Sequence, residues 1–215
     1  MKQILIYSDS LTWGIIPNTR KRLPFEDRWA GIFEKELNKE SVAVRVIENC
    51  LNGRRTAWGD PFKEGRNGSQ GLAQVIEMHS PLELVILMLG TNDFQCTHNN
   101  SAWLSAQGTV KLINIIRSSP IEPAMPIPKI MIVAPPKIIK PKGYIANKFK
   151  GSEGRYGELN NELKIVANEN STDFFDSNTV ITASKIDGIH LDKEQHKILG
   201  QALAKHVELS LSKNT

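Results

Sequence analysis

Cysteine is scarce in this 215-residue chain, with only Cys50 and Cys96. They form no Cys-x-x-Cys motif and are too few for a disulfide scaffold, which points to a reduced, cytoplasmic setting. No apolar run approaches the roughly 20 residues of a membrane span. Lys2-Gln3 leads straight into a short apolar run with no small-residue cleavage site, so no secretory signal is expected there. The histidines at His79, His98, His196 and His206 make no His-Glu-x-x-His pattern, so no metal site is expected. His196 and His206 read as surface residues of a final helix. Gly151, Gly154 and Gly157 match no phosphate-binding fingerprint and no Walker lysine follows them. The net charge is only +4, and Lys and Arg are not interleaved with aromatics, which excludes a typical nucleic-acid surface. Five lysines (Lys137, Lys140, Lys142, Lys148 and Lys150) gather in one segment that reads as a solvated loop.

What is present is alternation. The length suits one domain, 1–215, built on one substantial core. Apolar or β-branched runs at 4–6, 42–47, 84–89, 129–134 and 173–176 read as strands. Helical spacing occupies 27–37, 71–78, 103–116, 156–167 and 193–211 between and after them. Such alternation predicts a parallel sheet of five strands with helices on both faces. The run at 84–89 is the most apolar and reads as the central strand. The segment 135–154 is long for a loop, and reads as a lid or an interaction surface.

Right-handed crossovers bring the loops that follow parallel strands to one rim. That rim then holds Ser10, Asn52-Gly53 and Gly90-Thr91-Asn92-Asp93. Ser8-Asp9-Ser10 could do no more than cap the next helix. The far end of the chain adds Asp187-Gly188-Ile189-His190, where a carboxylate three residues from a histidine can reach its ring. Serine becomes a nucleophile only when a base takes its proton, and an imidazole held in one tautomer by a carboxylate suits that work. The Ser10 and Gly53 N–H groups and the Asn92 amide would serve as donors to an oxyanion. Together these are the parts of an acyl-transfer centre: Ser10, His190 and Asp187, with an oxyanion hole of Ser10, Gly53 and Asn92.

In order, Ser10, Gly53, Asn92 and His190 resemble the blocks of the SGNH (GDSL-type) hydrolase superfamily. The stretches Ser10-Leu11-Thr12-Trp13-Gly14, Asp27-Arg28-Trp29, Met88-Leu89-Gly90-Thr91-Asn92-Asp93 and Asp187-Gly188-Ile189-His190-Leu191 are similar to its bacterial arylesterase/acyltransferase branch. The resemblance implies a flavodoxin-like three-layer α/β/α fold, no metal, no organic cofactor and a small ester substrate. The G-x-S-x-G elbow of the other large esterase fold is absent, in agreement. One position departs: the first block opens with glycine in the family and with Ser8 here.

The expected activity is hydrolysis of short-acyl esters, with acyl transfer to alcohols as an extension. A carbohydrate O-acetylesterase, a thioesterase or lysophospholipase, and an inactive binding protein of the same fold are the alternatives. Asp9, Trp13 and Asn52 are candidate substrate contacts, with Trp13 as a wall of the acyl pocket. Ile138, Ile139, Tyr144, Ile145 and Phe149 are many apolar residues for a loop, and with the branch resemblance they suggest a homo-oligomer. No nucleic-acid or membrane partner is expected.

Overall fold

A computed structural model of the protein describes residues 1–39 and 43–212. Its centre is a sheet of β1 (Lys2–Ser8), β2 (Val44–Cys50), β3 (Leu84–Met88), β4 (Lys129–Ala134) and β5 (Asp173–Asp176). All pairings are parallel, in the order β2-β1-β3-β4-β5. Helices α1 (Ser10–Trp13), α2 (Trp29–Leu37), α3 (Leu72–His79), α4 (Ala102–Arg117), α5 (Ser152–Tyr156), α6 (Leu159–Glu169) and α7 (Lys193–Ser212) fill the connections. The second strand is described over Val44–Cys50, running past the expected end at Ile47, and its expected start at Val42 lies outside the described residues.

Side-chain alternation divides the core in two. Ile4 and Ile6 of β1 pack with Trp29 and Phe33 of α2 and Leu199 and Leu203 of α7. Leu5 and Tyr7 face the other way, onto Leu72 of α3, Ile113 of α4 and Leu163 of α6. Every residue of β3 is buried. Strands covered on both faces must be apolar at every position, which is why they read as continuous runs. This is the flavodoxin-like three-layer arrangement. The strand order reverses direction between β1 and β3, and in open α/β sheets that crevice is where ligands bind.

Two expectations need correction. The helix read over 156–167 is two helices, broken at Gly157 and Glu158. The break lets Tyr156 turn inward, against Phe94 at 5.0 Å between rings, with its hydroxyl donating to the Pro135 carbonyl at 2.7 Å. The five lysines of 135–154 are exposed, as a solvated loop requires, but the segment is anchored as well. Ile138 and Phe149 are buried, and the Ile139 and Lys142 N–H groups donate to the carbonyls of Gly188 and Asp187 at 3.0 and 2.9 Å. It is a strap laid along the turn that carries Asp187 and His190. Gly188 is bound to this contact: its φ is +81°, and a Cβ there would strike the Lys140 carbonyl.

His196 is also buried, not on the surface. Arg28 gives α2 no side-chain cap, and the His196 Nδ1 on α7 accepts the Trp29 N–H instead, at 3.2 Å. Burial, reinforced by the charge of His190, lowers the His196 pKa from 6.5 to about 4. The unfolded chain therefore takes up this proton first as the pH falls, and stability contributed by the neutral ring is lost from about pH 6.5 down to about pH 4. Among the described residues, no helix is long and apolar enough to cross a membrane. Between pH 7 and pH 4 the wild type should lose about 3 kcal/mol more stability than His196→Gln, measured by urea unfolding. Equal losses would mean that His196 titrates normally in the fold.

Candidate active site

Ser10 is placed by the way β1 stops. Asp9 is the N-cap of α1, its Oδ1 accepting the Leu11 N–H at 2.9 Å, and Ser10 is the first residue of the helix. Capping and chemistry are thus divided between neighbours rather than being rival readings. Ser8 ends β1 with a backbone outside the left-handed region. Its hydroxyl donates to the Met88 carbonyl and accepts from Thr12 Oγ1, both at 2.7 Å. The site therefore asks for no glycine-only angle at this position, and serine adds a bond between β1 and β3.

On the facing turn, His190 Nε2 stands 3.2 Å from Ser10 Oγ, and its Nδ1 is 2.7 Å from Asp187 Oδ2. Asp187 is itself held, with Oδ1 accepting the N–H groups of Ile189 and His190 and Oδ2 accepting the Asn18 N–H. Burial works against ionisation of this carboxyl. The bond to His190, that ring's charge and the backbone donors outweigh it, holding the Asp187 pKa down at about 2. A carboxylate fixed in this way sets the tautomer of His190 and leaves Nε2 as the acceptor toward Ser10.

Gly53 follows β2 with φ +82°, a conformation that disfavours any side chain, although a Cβ would find room. Asn92 follows β3 in a single 3-10 turn, Thr91–Phe94. Its Nδ2 donates to Asp9 Oδ2 at 2.8 Å, and its Oδ1 accepts from Gln95 Nε2 at 2.6 Å. With both ends engaged the amide cannot flip, and one N–H remains to point elsewhere. Gln95 is clamped in turn by Arg55, whose Nη2 donates to Gln95 Oε1 at 2.6 Å and whose Nε donates to the Asn92 carbonyl at 3.1 Å. Asp93 locks the next layer, accepting from the Thr56 N–H, the Thr56 hydroxyl and the Ser105 hydroxyl. Burial raises both Asp9 and Asp93 to about 6, against the hydrogen bonds that favour their charged forms. Arg55 was not recognisable as a site residue in the sequence, because its partners Asn92 and Gln95 lie 37 and 40 residues away; Gln95 sits three residues from Asn92, where a glutamine carries no distinguishing signal.

An inner cavity of about 120 Å³ brings together Ser10, Gly53, Asn92 and His190. Ile15, Ile145 and Phe149 supply its apolar wall. An outer chamber of about 360 Å³ adjoins it, sharing Ile15, Asn52, Lys63, Ile145, Lys148 and His190. Asn52 thus lies where a substrate contact is expected. Asp9 and Trp13 do not: they line neither cavity. Asp9 is sealed beneath the site, and the Trp13 ring is covered by the Arg22 guanidinium at 4.7 Å. Ile15 and residues of the strap, rather than Trp13, line the cavity beside Ser10. Arg54, next to Gly53, turns away to stack on Tyr7 at 3.8 Å and donates to the Ser8 carbonyl.

The model of the GDSL-like lipase/acylhydrolase family matches residues 9–198. The chain belongs to this family. It is a serine carboxylic-ester hydrolase of the SGNH type. Solved structures that resemble this GDSL-like hydrolase include an inhibitor-bound aryl esterase of M. smegmatis, at 32% identity and TM-score 0.91, covering 97% of this chain and 99% of that one. A carbohydrate acetylesterase from Sinorhizobium meliloti is 34% identical with TM-score 0.90, over 97% and 99% of the two chains. A putative arylesterase from Agrobacterium tumefaciens is 36% identical with TM-score 0.88, again over 97% and 99%. No curated protein matches significantly in sequence.

Proposed function

We propose that this esterase cleaves short-acyl carboxylic esters through an acyl-enzyme on Ser10. The observation that carries the reading is the chain of contacts from Ser10 Oγ to His190 Nε2 at 3.2 Å and from His190 Nδ1 to Asp187 Oδ2 at 2.7 Å. His190 takes the hydroxyl proton as Ser10 Oγ bonds to the ester carbonyl carbon. The carbonyl oxygen becomes an anion facing the N–H groups of Ser10 and Gly53 and the free N–H of Asn92. Collapse breaks the C–O bond to the alcohol, which leaves with the proton from His190. Water then repeats the sequence and releases the acid, or a second alcohol takes the acyl group instead. The inner cavity of about 120 Å³, walled by Ile15, Ile145 and Phe149, suits an acetyl to butyryl chain.

One observation favours a sugar as the alcohol. The outer chamber is lined by Asn18, Thr19 and Asn52, and the buried Asn52 Oδ1 has no hydrogen-bond partner among the described residues. A carbohydrate hydroxyl would supply one. Two further readings concern the whole molecule, taken as one catalytic domain. Free Cys50 and Cys96 fit a reducing cytoplasm. Exposed Tyr144 on the strap and Phe62 nearby fit a homo-oligomer, although Ile138 and Phe149 of the strap are buried within the chain. Light scattering should then give a mass of at least two chains, and Tyr144→Lys should lower it. A monodisperse monomer would remove this reading.

Ser10→Ala and His190→Ala should each lower p-nitrophenyl acetate turnover by roughly a million-fold, and Asp187→Asn by about ten-thousand-fold. Wild-type kcat/KM should fall steeply beyond butyrate. A folded Ser10→Ala variant with near-normal acetate release would end the mechanism. Asn92→Ala should cost about a hundred- to a thousand-fold in kcat with little change in KM. Gln95→Ala should cost less alone and almost nothing added to Asn92→Ala, because it acts only by aiming that amide. Additive losses would show that Gln95 has another role.

A further inference from the structure

The cleft holds more positive charge than ester hydrolysis requires. Arg20, Lys63, Arg66 and Lys148 line its two cavities, and the carboxylates among the lining residues are those of Asp60 and Asp187. Both carboxylates are already engaged. Asp60 Oδ2 faces the fully buried Arg55 at 3.4 Å, and its Oδ1 accepts the Phe62 N–H. Asp187 is spent on His190. Among the described residues, none of the four cationic side chains forms an ion pair.

These charges also crowd each other. Lys148 Nζ and Arg66 Nε each lie 3.9 Å from where a Cβ on Gly53 would stand. Burial disfavours the Lys148 ammonium; Asp60 offsets that in part, while Arg55, Lys63 and Arg66 add to it. Asp60 compensates this charge only in part, and although Arg20, Lys63 and Lys148 are exposed, the concave wall keeps a positive potential at low salt. A neutral ester has nothing to match it, and the developing oxyanion already has donors in Ser10, Gly53 and Asn92.

The two cavities also assign sides to the substrate. His190 must hand its proton to the alcohol oxygen, so the alcohol lies where His190 is accessible and the oxyanion donors are not. The outer chamber meets that condition: it includes His190 and lacks Ser10, Gly53 and Asn92. Arg20 lines this chamber alone, and Lys63 and Lys148 stand where the two cavities meet, lining both. We infer that the alcohol portion of the preferred ester carries a compact anionic group, held by Arg20, Lys63 and Lys148. The inference rests on the esterase reading and specifies its substrate class: short-acyl esters of hydroxy acids or of acidic sugars. The same lysine that reads in the sequence as part of a solvated loop becomes, through the strap, a specificity residue.

The test compares 4-acetoxybenzoate and 4-acetoxybenzenesulfonate, which separate carboxylate from sulfonate, with neutral 4-acetoxybenzamide. At low salt kcat/KM for an anionic ester should exceed that for the amide by about tenfold, and the ratio should fall toward one at about 1 M NaCl. Lys63→Ala and Lys148→Ala should each reduce the ratio several-fold through KM, and Lys148→Glu should invert it. Lys111→Ala, on the exposed side of α4, should keep the wild-type ratio. A wild-type ratio at or below one would overturn the inference. So would a Lys148→Ala variant that slows all substrates equally through kcat, because the lysine would then serve the oxyanion. If no ester is turned over, the esterase reading itself fails. Calorimetric binding of 4-hydroxybenzoate against 4-hydroxybenzamide then decides the anion site alone, preference for the acid supporting it and equal binding refuting it.

Discussion

The buried carboxylate of Asp9 ties together the two strands between which the site opens. One oxygen caps the helix that presents Ser10, and the other holds the amide of Asn92. Because β1 and β3 are neighbours at the point where strand order reverses, these two bonds cross the mouth of the crevice. Ser10 and the Asn92 amide are therefore positioned by one group, and neither can shift without disturbing the other.

That arrangement has a cost which the surrounding network offsets. A carboxylate removed from water is destabilised unless its oxygens are hydrogen-bonded, and burial alone would favour the neutral acid. Asp9 and Asp93 are both pushed up to about 6, yet each keeps several donors. The network extends from Asp9 through Asn92 and Gln95 to Arg55. Fully satisfied polar networks in a low-dielectric interior are rigid, because any rotation leaves a buried group unpaired. Rigidity of that kind is what a set of oxyanion donors needs: they must already be aimed when charge develops.

The strap over 135–154 connects this rigid floor to the variable part of the cleft. It is bound to the Asp187 turn through backbone bonds and anchored in the core by Ile138 and Phe149. From that base it projects Tyr144, Ile145 and Lys148 into the cleft wall. The candidate triad and oxyanion groups follow strand ends or the last turn, whereas the strap and the 60–66 segment line the rest of the cleft. Chemistry and selectivity can thus vary separately.

The layer architecture, the order of elements and the positions of Ser10, Gly53, Asn92, Asp187 and His190 were legible in the sequence. Buried parallel strands must be apolar along their whole length, and an acyl-transfer centre needs a few residue types at strand ends. Those are local signals that survive in one dimension. Asp9 and Trp13 could not be sorted from true cleft residues, since direction of a side chain at a strand end depends on packing across the sheet. His196 looked like one more polar position on an amphipathic helix; only the crossing of α7 over α2 shows that it caps Trp29. Arg55 and Lys148 acquire their places from segments far away in the chain, and contacts over such separations leave no periodicity to read; Gln95 is only three residues from Asn92, but their bond exists only in the folded turn. Sequence by itself determined the sheet and singled out the candidate reacting groups, through burial and chemistry. Which side chains aim those groups, and what charge greets a substrate, was decided only by tertiary structure, where segments distant in the chain meet in one electrostatic environment.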